Sequence, residues 1–174
     1  GETAQQLQAR QARRNQTWAR TRDNVAIVPN LLVDVRVAGT PGEGGSEYGY
    51  TQQNVQLAMQ PDLEAYDQTL PFMSPAVGWY DLVTNLGTQL WLQYLAKYTL
   101  NELFTPLPPV QTVFPGAART GLQRVAWMMQ RHLTRASVPR LDENGQPTGQ
   151  MLQSAHYAAL SLRGLTVSRL QVIN

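Results

Sequence analysis

The side chains with catalytic potential in this sequence are few and scattered. His132 and His156 lie 24 residues apart, and neither stands in the close spacing that a metal ion needs from its ligands. Arg131 beside His132 further opposes a bound cation, so both histidines read as surface or internally satisfied groups. Ser154 and His156 are near neighbours, but no nucleophile elbow surrounds the serine and no ordered triad can be assembled. Gly39, Gly42, Gly44 and Gly45 form a flexible loop without the Lys-Ser/Thr that completes a phosphate-binding loop. Asp62, Glu64 and Asp67 cluster as carboxylates do in acid–base or calcium sites. Their spacing lacks the glycine and the distal glutamate of an EF-hand, and they read as a solvated or interface-facing acidic patch. Asp142 and Glu143 read as turn residues. There is no cysteine, which excludes disulfides and thiolate metal sites. These residues predict no catalytic centre, no metal and no cofactor.

Charge is the more informative pattern. Charged residues make up 15% of the 174, below the roughly 25% of a typical soluble protein, and glutamine supplies much of the polarity instead. Amides cost less to desolvate than ions, so such a surface tolerates close contact with other protein. Lys97 is the only lysine; the other thirteen basic residues are arginine, a side chain suited to interfaces or the product of a GC-rich genome. Residues 2–22 carry Arg10, Arg13, Arg14, Arg20 and Arg22 against Glu2 alone. Between Val37 and Ala96 there are six acids and no base, and from Lys97 to Arg140 six bases and one acid. The order positive, negative, positive either averages out over a lone globule or supplies opposite patches for head-to-tail contact.

The elements that would hold these groups follow from periodicity. Residues 1–24 read as a basic, glutamine- and arginine-rich arm or helix, anchored by Trp18, and 25–174 as a single α+β domain. Leu31, Val33, Val35 and Val37 alternate as one face of a strand that Pro29 interrupts. Residues 39–53 form a loop, and Val55, Leu57 and Met59 alternate as a partner strand. Ser74-Pro75 opens a helix carrying Trp79, Leu82, Val83 and Leu86, with Gly87 as its stop. A second helix from Thr88 to Phe104 is apolar nearly all round, so the pair forms a hairpin that must be covered on most sides. The prolines of 105–116 enforce an extended connection. Residues 117–136 make an amphipathic helix, burying Leu122, Val125, Met128, Met129 and Leu133 and grouping Arg124, Arg131 and Arg135 on the other side. Asn144-Gly145 marks a tight reversal. Residues 151–164 suit a helix, and 165–174 a strand with a bulge near Ser168-Arg169. The expected fold is α+β, two or three helices packed on a small, mostly antiparallel sheet with long extended loops.

No stretch of eighteen apolar residues predicts a membrane span, and the amino terminus, which begins with glycine, does not read as a signal peptide. The leading expectation is a non-enzymatic structural subunit of a large homo-oligomeric assembly. A tailed-bacteriophage virion component fits best: a head–tail connector, tail or capsid-decorating protein, assembled in the host cytoplasm. A subunit of a secretion or injection machine would share the composition. The alternatives are a nucleic-acid-binding or packaging accessory protein using the arginine arm, and an enzyme with a scattered site. The expected partners are further copies of the chain and other structural subunits. The candidate interface residues are Arg10, Arg13, Arg14, Trp18, Tyr48, Tyr50, Trp91, Arg124, Arg131 and Arg135.

Overall fold

Apolar side chains four apart explain the central helix. In a computed structural model, which describes residues 1–9, 19–39, 50–59, 79–110 and 113–173, helix α3 runs unbroken over Trp79–Leu95. Leu82, Leu86, Leu90 and Tyr94 form one row along it, and Val83, Gly87, Trp91 and Leu95 the adjacent row, all of them buried. Gly87 therefore sits inside the helix rather than ending it, and the expected helix hairpin is a single rod. The glycine gives room to the side chain of Leu31, whose Cδ1 would stand 3.7 Å from an added Cβ. The chain breaks instead after Leu95. Thr99 then caps a short helix, α4 (Leu100–Phe104), by accepting a hydrogen bond from the Glu102 amide. The expected helix start at Ser74-Pro75 lies outside the described residues.

Among the described residues the strands form three antiparallel two-stranded units: β1 (Ala19–Arg20) with β2 (Ala26–Ile27), β3 (Leu31–Val37) with β6 (Leu165–Val172), and β4 (Ser137–Leu141) with β5 (Pro147–Gln153). The class is α+β, with its strands divided among pairs. In β3 the expected face holds: Leu31, Val33, Val35 and Val37 pack on the core, while Asp34 on the other side pairs with Arg169. The register slips by one residue at Ser168, and its hydroxyl donates to the Asp34 carbonyl. Helix α5 (Gly121–Thr134) opens on a capping box between Thr120 and Gln123. It packs between α3 and β6, with α6 (Ala155–Leu162) beside it.

Two further expectations change. The run Val55, Leu57, Met59 belongs to helix α2 (Gln52–Met59), not to a strand. Alternation over five residues fits one turn of helix as well as a strand, and here the partner edge of β3 is taken by β6. The arm ends earlier than residue 24. Helical residues 4–9 (α1) are exposed, but Ala19 is buried, and the Arg22 amide donates to the Tyr98 carbonyl. The Arg22 guanidinium also reaches the Lys97 carbonyl and pairs with Glu102. Residues 19–24 thus belong to the body.

An unbroken α3 has a direct consequence. Gly87→Ala adds a methyl at ordinary contact distance and removes glycine's entropy cost in a helix. It is expected to raise the unfolding free energy by about 0.5–1 kcal/mol in urea titration. A loss of stability would mean that the helix stops at Gly87.

Candidate functional site

The residue types that could do chemistry do converge, but inside the core. His132 on α5 faces Tyr94 on α3, Ser154 at the start of α6, and His156, whose ring centroid lies 5.3 Å away. The Tyr94 hydroxyl is hydrogen-bonded to His132 Nε2, and Ser154 Oγ lies 3.4 Å from Nδ1. Ser154 Oγ donates to the His132 carbonyl at 2.6 Å and accepts from the Tyr157 amide as the cap of α6. His156 Nε2 stands 3.1 Å from Gln89 Oε1 on α3. Burial, and secondarily the nearby His156, push the His132 pKa down to about 3, so the ring is neutral. Burial also drives the Tyr94 hydroxyl well above its usual range, keeping it a donor. With Tyr94 donating to Nε2, the remaining proton belongs on Nδ1, directed at Ser154. That is the reverse of a serine activated by a general base: its proton goes to a backbone carbonyl and its lone pair is engaged. The cluster joins α3, α5 and α6 and leaves no activated nucleophile.

The sequence-selected residues are dispersed. Arg10, Arg13, Arg14, Trp18 and Tyr48 lie outside the described residues, as do Asp62, Glu64 and Asp67. Tyr50 is exposed and bridges to Gly39. Two selections are overturned. Trp91 is only 1% exposed and donates its indole N–H to the Ile27 carbonyl, so it is core rather than an interface anchor. Arg124, 2% exposed, does not share an outer face with Arg131 and Arg135. It turns inward, donating from Nε to the Ala118 carbonyl and from Nη2 to the Pro108 carbonyl, with its guanidinium 4.9 Å from the Phe114 ring centre. Four of the connector's twelve residues are prolines without an amide, so its carbonyls outnumber its donors, and this arginine supplies donors to Pro108 and Ala118. Arg135 ends α5 in solvent, and Arg131 lies half-buried over the Trp127 ring.

Sequence reasoning missed a second arginine of this kind. Arg163 at the end of α6 donates to the Leu57 and Ala58 carbonyls, closing the last turn of α2. It also missed the surface formed by Trp127, Arg131 and the β4–β5 hairpin, whose members are distant along the chain. Among the described residues no cluster of His, Asp and Glu could hold a metal, and no helix is long and apolar enough to cross a membrane. Comparison of the chain with protein-family models, curated proteins and solved structures finds no match in any of the three.

The buried cluster makes stability depend on pH. His132 takes up a proton near pH 6.5 when unfolded and near pH 3 when folded. Its contribution is therefore complete above pH 6.5 and drains away as pH falls toward 3. Between pH 7.5 and 5.5 the protein is expected to lose about 1.4 kcal/mol of unfolding free energy, measured by urea titration at each pH. His132→Gln flattens that slope. Trp91→Ala is expected to cost about 3–5 kcal/mol in the same assay, as a cavity at the centre of α3 demands.

Proposed function

We propose that this chain is a non-enzymatic structural subunit of a large homo-oligomeric assembly, with a tailed-bacteriophage virion component as the best fit. The observation that carries the reading is the outer edge of β5, which no other described strand pairs. Ser154 donates its amide to the Ala136 carbonyl, and Val138 pairs with Leu152 and Pro139 with Met151. Antiparallel pairs alternate between hydrogen-bonded and open, so Met151 and Gln153 turn their amides and carbonyls away from β4. Pro139, which has no amide, occupies an open pair, as it must. The strand reads Pro-Thr-Gly-Gln-Met-Leu-Gln, without a charge, and Met151 is 58% exposed. Edges of solitary proteins are normally guarded by charge, bulges or cover. Here Pro147 and a register shift guard the start of β5, while residues 151–153 carry no charge and are suited to a neighbour's backbone.

Other features support the same reading. The chain is poor in charge, and glutamine supplies much of its polarity. The virion assignment, whether connector, tail or decorating protein, rests on that composition together with the basic arm. A nucleic-acid role falls to Arg10, Arg13 and Arg14, since Arg22 and Arg124 are engaged within the body.

Light scattering after size exclusion tests the proposal. The wild-type chain is expected to exceed its monomer mass at tens of micromolar protein, a usual range for weak subunit contacts. Met151→Lys places a charge on the open edge and is expected to abolish association while changing stability by less than about 0.5 kcal/mol. A wild-type monomer at every concentration sinks the reading.

A further inference from the structure

Beside the β5 edge lies a groove of about 620 Å³, walled by Trp127 and Arg131 of α5 and by Pro139, Arg140, Pro147 and Met151 of the hairpin. Its chemistry is twofold. Trp127, the prolines and Met151 present an apolar surface, and two guanidinium groups stand over it. The Arg131 guanidinium carbon lies 5.2 Å from the centre of the Trp127 ring, and its Nε has no acceptor among the described residues. Arg140 is exposed and donates to the neutral Gln150 amide oxygen at 3.3 Å. Among the described residues neither arginine is paired with a carboxylate; the ion pairs there join Arg22 to Glu102 and Arg169 to Asp34. Such a surface suits a peptide bearing both carboxylates and large apolar side chains.

We propose that this groove and the adjoining β5 edge receive the acidic segment at residues 61–67 of a second copy of the chain. This rests on the assembly reading above. The segment, Pro-Asp-Leu-Glu-Ala-Tyr-Asp, lies outside the described residues; it carries three carboxylates and no base, with Leu63 and Tyr66 between them. Positions 62, 64 and 66 of a paired strand share one face, so the carboxylates of Asp62 and Glu64 meet Arg131 and Arg140 while Tyr66 meets Trp127 and Met151. Its backbone pairs with the outward amides and carbonyls of Met151 and Gln153. Backbone pairing supplies affinity and the groove supplies selectivity, the division of labour seen wherever a peptide adds to a sheet edge. A nucleic acid would use the arginines but could not use the strand edge. Donor and acceptor are different parts of the surface, so every copy that binds one neighbour still offers its own segment to another. That is the heterologous contact that builds rings or stacks.

The test places a photo-crosslinking amino acid at position 66 of the full chain. Irradiation is expected to give dimers and larger species whose linked peptides contain Trp127–Arg131 or the β4–β5 hairpin. Arg140→Glu is expected to lower that yield about tenfold, since it sets like charges face to face. Crosslinks confined to the same chain, or landing elsewhere on a second copy, overturn the docking. If wild-type mass still exceeds the monomer, the assembly reading survives that result; a monomeric wild type removes both. A short DNA duplex that abolishes the crosslink at low salt assigns the groove to nucleic acid and likewise overturns the proposal.

Discussion

One helix that must be covered on nearly every side dictates the layout of this protein. The two apolar rows of α3 expose more hydrocarbon than any single partner can bury, so several elements are gathered around it. α5 packs on one side, α6 touches it at Gln89 through His156, and β1 and β3 approach the remaining faces. Each contact has its own device. Gly87 admits Leu31, the Trp91 indole is tied to Ile27, and the Tyr94 hydroxyl reaches the buried histidine. At the end of the rod, Lys97 donates to the Leu141 and Asp142 carbonyls. Gly145, with a positive φ of 76°, lets the turn close directly on the Tyr98 ring, where an added Cβ would stand 2.7 Å from the nearest ring carbon. Burial there depresses the Lys97 pKa below its usual value.

So much irregular chain around one helix leaves backbone carbonyls without partners, and arginine resolves this. Arg124 and Arg163 are both buried, and each donates to carbonyls of a segment remote from its own helix. A buried guanidinium is expensive unless its donors are matched, and planar donors directed at several carbonyls meet that condition where lysine would not. The arginine-rich composition therefore has a structural use that a count of surface charge does not anticipate. It also removes two cations from any surface meant to bind phosphate.

What could be read in advance follows the range of the forces involved. The β3 face, the bulge at Ser168 and the reversal at Asn144-Gly145 are local, set by alternation and turn chemistry, and all three are present. Gly87 was misread because a helix-stop glycine and a packing glycine look alike until the neighbouring strand is in place. Val55, Leu57 and Met59 were misread because five residues cannot separate a period of 2 from one of 3.6. Arg124 was misread because its inward turn depends on the unmet carbonyls of Pro108 and Ala118, a need that sequence periodicity does not register. The polar core is the clearest case. Tyr94, His132 and Ser154 come from three helices, and nothing in their spacing announces that they meet.

The two polar regions of the molecule are arranged for opposite ends. In the core, Ser154 and Tyr94 are directed at acceptors that fix their protons, which holds the helices in place and leaves no activated nucleophile. Around the hairpin, the β5 edge is uncharged, Met151 is exposed, and Arg131 and Arg140 face no carboxylate among the described residues. A strand edge without charge invites indiscriminate pairing. Placing two cations beside it makes the partner's charge matter, because a basic or neutral segment gains only the backbone bonds. Under the proposed assembly, the edge supplies adhesion and the arginines supply choice between partners.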